Sequence, residues 1–185
     1  MTNTRKMALI AILSAVSFLL MYLKFPLIPS ASFLEIDFSI IPILIGMLML
    51  DLGSAFSILF IRTILKFLFN NNGPSTVIGL PMNIAALAVF MVALYAIWSK
   101  KQTLRQYLIA SSVATIGLTL VMLMLNYVYA IPVYATFAHF DIGQILGVNN
   151  YLFGMVLPFN LLEGMLFSLV FYAVYRAGQP ILRKL

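Results

Sequence analysis

The sequence predicts an all-α membrane protein with six transmembrane helices and both termini in the cytoplasm. Three observations carry that expectation. First, of 185 residues 63% are hydrophobic and only 9% charged, with a mean hydropathy of +1.07; a soluble domain carries about 25% charged residues. Second, apolar runs long enough to cross a bilayer core, about 20 helical residues, recur along the whole chain. They are continuous rather than alternating, which excludes a β-barrel. Third, basic residues gather in alternate loops: Arg5 and Lys6, then Lys100, Lys101 and Arg105, then Arg176, Arg183 and Lys184. That is the positive-inside pattern, and it turns the net charge of +6 into a statement about topology rather than about nucleic acid.

The chain reads as a single six-helix transmembrane domain over residues 1–185. The first span runs from about 7 to 23; no small-residue cleavage site follows it, only Lys24-Phe25-Pro26, so it is not read as a signal peptide. A loop rich in proline, serine and aromatics follows. The second span is short, 38–50, and breaks at Asp51-Leu52-Gly53, where helix capping is the default role of the aspartate. The third covers 54–69 and ends at NNNGPST, a strong turn signal. The fourth runs 77–98, the fifth 106–131 and the sixth 152–175. Between the last two lies a mildly polar segment, 132–151, in which His139 is an ordinary loop residue. Trp98, beside Lys100 and Lys101, reads as an interfacial anchor. The outer loops are then 24–37, 70–76 and 132–151.

Several chemistries have no residues to carry them. There is no GxxxxGK[ST] loop for ATP, no HExxH and no GxSxG. Without cysteine there are neither disulfides nor thiolate metal sites, and the five acidic residues form no DxxD cluster.

Polar residues inside the spans are the functional candidates, because a central charge costs roughly 2.5–3.5 kcal/mol to insert. Lys66 lies near the outer end of span three and Arg62 one turn deeper on the same face. Asn83 lies about two turns inside span four and Asn126 about one turn inside span five, at ~1.5 Å per residue. Asn160 and Glu163, spaced i and i+3 on one face, share span six with Pro158, which frees backbone groups. Four helices thus contribute polar groups at similar depth under aromatic outer loops, the composition of a substrate pocket in the outer half. Structural readings stand beside this one: each asparagine can bond a neighbouring helix, Arg62 can pair with Glu163, and Lys66 can snorkel to the surface. In span one, Ala11-Ile12-Leu13-Ser14-Ala15 is a small-xxx-small pattern that permits close helix contact.

Four stretches give these features a family likeness: FLEIDFSIIPILIG (33–46), GLPMNIAA (79–86), Asn126 and PFNLLEG (158–164). Together with the inner termini and the alanine pair of span one, the chain resembles an S component of the energy-coupling factor (ECF) vitamin transporters, most closely the riboflavin-specific ones. The departures are Ile40, where the family often has an acidic residue, and Glu163, where a lysine is frequent. The resemblance implies a subunit of the bacterial cytoplasmic membrane that captures riboflavin from outside, without enzymatic activity or a bound cofactor of its own. It implies docking through Ala11 and Ala15 on a transmembrane coupling subunit driven by a pair of cytoplasmic ATPases. It also implies aromatic walls from Phe33, Tyr134 and Phe137, and ligand contacts drawn from Leu34, Asp37, Lys66, Asn83, Asn126, Asn160 and Glu163. Rival readings are an S component for another vitamin or a flavin nucleotide, or a small lipid-modifying enzyme pairing Glu163 with Asp37 or Asp141.

Overall fold

The computed structural model describes residues 2–99 and 102–182. Of the basic clusters, Lys100, Lys101, Arg183 and Lys184 therefore lie outside the described residues. The chain is helical nearly throughout, and each helix begins where the local chemistry allows. Helix α1 (Asn3–Leu20) leads into a small antiparallel hairpin, β1 (Phe25–Pro26) against β2 (Glu35–Ile36), with a short 3-10 turn at Pro29–Ala31. Helix α2 (Ile40–Met49) returns, and α3 (Leu52–Phe69) starts at Asp51, whose carboxylate accepts from the Ser54 backbone N–H at 2.7 Å and the Ser54 hydroxyl at 3.0 Å. The expected capping role of Asp51 is met. Lys6 Nζ reaches the other Asp51 oxygen at 2.6 Å, tying the start of α1 to the start of α3.

The NNNG turn works through its side chains: Asn71 Oδ1 accepts from Gly73 N at 2.9 Å, and Gly73 takes φ 72, which glycine adopts without strain. Helix α4 (Pro74–Trp98) follows with proline in its first turn, where the missing N–H costs nothing. Thr103 then caps α5 (Leu104–Leu125) through Gln106 N. The chain closes with α6 (Ile131–Phe137), the single-turn α7 (Ile142–Leu146) and α8 (Leu157–Leu182).

The fifth and sixth spans extend well beyond 106–131 and 152–175. A π-helical turn at Asn126–Ala130 carries α5 without a break into α6, and another at Asn150–Val156 leads into α8. In each, the N–H reaches five residues back: Ile131 N to Asn126 O, and Leu157 N to Leu152 O. The cause is legible in the chain. Pro132 and Pro158 sit just after the two turns, lack an N–H, and press on the carbonyl four residues earlier, so the preceding turn widens. Much of the segment expected as an outer loop is therefore helical.

Among the described residues, five helices are long and apolar enough to cross a membrane. The sixth, α2, has ten residues, about 15 Å of rise, half a bilayer core. It sits in the middle of the bundle against α1, α3 and α8, with Ile40, Ile43 and Leu44 buried. Gly46 permits this packing, since a Cβ there would stand 2.3 Å from Ile58 Cδ1. Around it the contacts run α1–α3–α4–α5–α8. Outward-facing residues such as Leu120, Val128 and Leu169 are apolar and exposed, the surface that lipid covers.

One residue, at the end of α4, departs from expectation. Trp98 is not an interfacial anchor: it is 1% exposed, with Tyr107 and Tyr175 edge-on at 4.9 and 4.8 Å. The residue faces α5 and α8 across the bundle, so ring packing rather than the membrane surface holds it. Helix α1 buries only Ser14 and Ser17; the Ser17 hydroxyl bonds Ser39 O at 2.5 Å. Ala11 and Ala15 point away from the bundle and are exposed, so no helix among the described residues covers the small-xxx-small face.

Candidate functional site

At the end of the bundle under the hairpin, α4, α5 and α8 diverge around a cavity of about 610 Å³, within the ~300–1,000 Å³ of small-molecule sites. Most of its wall is apolar, with Ile78, Met82, Met122 and Phe159 among the lining side chains, and Phe33 and Tyr134 supply aromatic faces. Phe33 stacks on Tyr151 at 6.3 Å and 23°.

Helix α4 turns Asn83 toward the cavity just after Pro81, a proline inside the helix. Helix α8 does the same with Asn160 after Pro158. The Pro-x-Asn pair recurs for a physical reason: an interior proline frees a backbone carbonyl and bends the helix, and the amide two residues on falls where the helices part. Gly164 fixes the depth of α8, since a Cβ there would meet Thr115 at 2.7 Å. That close approach holds Asn160 and Glu163 against α5.

Of the seven expected contact residues, Leu34, Asn83, Asn126, Asn160 and Glu163 line this one cavity. Asp37 and Lys66 do not. Asp37 Oδ1 accepts from Ser39 N at 2.8 Å, a turn that starts α2. Lys66 is buried in the last turn of α3, where a cation suits the helix's negative end. Among the expected aromatic walls, Phe137 is 77% exposed and away from the cavity, because α6 turns it outward.

The hydrogen bonds separate the polar residues further. Asn126 is satisfied at both ends: its Nδ2 donates to Met122 O at 2.8 Å, and its Oδ1 accepts from Tyr151 OH at 2.6 Å. Asn83 Oδ1 accepts from Arg62 Nη2 at 2.9 Å. Both asparagines thus make helix-to-helix bonds as well as lining the cavity. Arg62 is fully buried and bonds Asn83 and Met21 Sδ; it does not pair with Glu163, since α3 faces α4 at this level. Asn160, also fully buried, donates from Nδ2 to Val156 O at 2.7 Å, while its Oδ1 has no partner among the described residues. A buried acceptor left unpaired costs about 1–3 kcal/mol. Glu163 makes no ion pair among the described residues.

Tyr151, Glu35 and Phe140 also line the cavity. The signal for Tyr151 lay in the asparagine-rich NNY preceding the last span, but its partner Asn126 is 25 residues away. At the cavity's edge Glu35, in β2, pairs with Lys24.

An all-α membrane bundle that opens at one end around a ligand-sized cavity is the architecture of a membrane-embedded binding subunit. Comparison with known proteins agrees. The family model of the ECF transporter, substrate-specific component, matches residues 5–175. The riboflavin transporter RibU of Streptococcus thermophilus (strain ATCC BAA-250 / LMG 18311) is 56% identical over 185 residues, covering 100% of this chain and 88% of that protein. RibU of Lactococcus lactis subsp. cremoris (strain NZ9000) is 43% identical over 188 residues, 92% of this chain and 91% of that one. The solved S component of a bacterial ECF transporter superposes with a TM-score of 0.81 at 26% identity, covering 98% of this chain and 99% of that one. The chain belongs to the family of ECF transporter substrate-specific components. It is a multi-pass membrane protein and a transport subunit, not an enzyme.

Proposed function

We propose that this protein captures riboflavin outside the cell for ATP-driven uptake, in the cavity beneath the 24–37 loop. One observation carries the reading: a single mostly apolar cavity of about 610 Å³ collects Leu34, Asn83, Asn126, Asn160 and Glu163, with an unpaired buried acceptor on Asn160. An isoalloxazine ring asks for such walls. Its pyrimidinedione edge carries an N–H between two carbonyls, so it needs an acceptor flanked by donors. Asn160 Oδ1 is the acceptor that lacks a donor, and the flavin N–H supplies one. The ribityl hydroxyls, which both donate and accept, suit the Leu34 backbone and Glu163. The relatives named as riboflavin transporters support the same ligand.

In this reading the end carrying Arg5, Lys6, Arg105 and Arg176 faces the cytoplasm. ATP hydrolysis belongs to partners, a pair of cytoplasmic ATPases acting through a transmembrane coupling subunit. The docking face is α1, whose Ala11 and Ala15 are exposed and small enough for another helix to approach closely. The visible absorption spectrum of the protein, purified in mild detergent from riboflavin-fed cells, tests the ligand. A flavin band near one equivalent per chain is the expected result; a colourless protein that stays colourless after incubation with riboflavin refutes it.

A further inference from the structure

A charged side chain buried in a membrane bundle is expensive, yet Arg62 is 0% exposed and no carboxylate is among its hydrogen-bond partners. Its Nη1 points to Met21 Sδ at 3.2 Å, its Nε has no partner among the described residues, and its Nη2 donates to Asn83 Oδ1 at 2.9 Å. That last bond has an unambiguous polarity. Guanidinium has only donors, whereas an asparagine amide is nearly symmetric in shape and takes its orientation from its partners. Facing Arg62, the amide must present oxygen, so nitrogen is left for the other side. Asn83 lines the cavity. Its Nδ2 makes no hydrogen bond among the described residues, which leaves that donor for an occupant of the cavity.

We infer that Arg62 is a positioning residue for the ligand site: by gripping Asn83 Oδ1 it fixes Nδ2 in the cavity as a donor to a ligand carbonyl. The inference rests on the riboflavin reading, where that carbonyl belongs to the flavin's pyrimidinedione edge. Without Arg62 the amide is free to turn its oxygen inward, and a carbonyl then meets an acceptor.

Riboflavin fluorescence titrations of the purified full chain test it, with thermal melting on every sample. Asn83→Ala and Arg62→Met should each weaken binding by about tenfold, as for one buried hydrogen bond to a ligand. The double variant should bind no worse than either single one; losses that multiply would overturn the inference. Arg62→Lys, which keeps a donor, should lose less than Arg62→Met, and equal loss would count against positioning. Asn83→Asp separates grip from donation. It preserves an acceptor for Arg62, so the melting temperature should hold, but it offers the ligand carbonyl an oxygen instead of an N–H, and affinity should fall at least as far as in Asn83→Ala. Wild-type affinity in Asn83→Asp overturns the proposal even if Arg62→Met does not fold. A wild-type protein that binds no riboflavin removes the functional reading itself, a different failure.

Discussion

Replacing Asn160 by leucine separates stability from affinity. In the free protein Asn160 is fully buried, with one bond, Nδ2 to Val156 O at 2.7 Å, and one orphan, Oδ1. Leucine forfeits the bond, about 0.5–1.5 kcal/mol, but relieves the stranded acceptor, about 1–3 kcal/mol. Leucine keeps the branching at Cγ and the number of heavy atoms, so no cavity opens, and its bulkier methyls have the adjoining cavity to spread into. The two contributions nearly cancel, and the variant should lose no more than about 1 kcal/mol of stability. The complex behaves differently. A flavin N–H that finds leucine instead of an oxygen is buried without an acceptor, at a cost of about 1–3 kcal/mol, which is about a 5- to 150-fold weaker Kd. The assay is thermal unfolding without ligand beside fluorescence titration with it. A preserved melting temperature with affinity down about 5- to 150-fold is expected. Unchanged affinity would refute the role given to Oδ1, and collapse of the fold would refute the balance drawn for the free protein.

Four further outcomes follow from the structure. Gly164→Ala should lower the melting temperature by the equivalent of about 1–3 kcal/mol through overpacking, because its Cβ meets Thr115 at 2.7 Å; Thr115→Ala, which removes the two nearest atoms, should recover part of the loss. Tyr151→Phe should weaken riboflavin binding in titration and cost about 1 kcal/mol in stability, because it strands Asn126 Oδ1. The Lys6 ammonium, then the Ser54 N–H, hold the Asp51 carboxyl at about 2, below its ordinary 3.8. A depressed carboxylate contributes stability above its unfolded pKa and loses it as pH falls through the folded one. Wild-type melting should therefore drop more than that of Asp51→Asn between pH 5 and pH 2, by no more than about 1 kcal/mol, since the pair is half-exposed and screened. Ala11→Leu with Ala15→Leu should leave riboflavin titration unchanged but abolish co-purification with the coupling subunit and uptake into cells.

The sequence made the helices legible because length and apolarity suffice to detect a membrane span; Asp51 and the NNNG turn were equally readable, since capping chemistry is local. The positions of Asn83, Asn126, Asn160 and Glu163 along their helices were legible too, because depth follows from residue count. Which way each side chain points was not. A helix that is apolar all round carries no amphipathic signal to separate lipid from neighbour, so the rotation that gives Arg62 to Asn83 rather than Glu163 is set by packing alone. The same blindness placed Trp98 at the membrane surface when it lies in a ring cluster. The π turns were missed for another reason: the fifth span was ended at 131, just before Pro132, and Pro158 was given only the freeing of backbone groups, while neighbouring helices allow the chain to widen and continue through both prolines.

Titration of the purified wild-type chain with riboflavin, followed by quenching of flavin fluorescence, tests the central claim most directly. The account predicts saturable quenching near one flavin per chain. Fluorescence that is unquenched by a large excess of folded protein would contradict it.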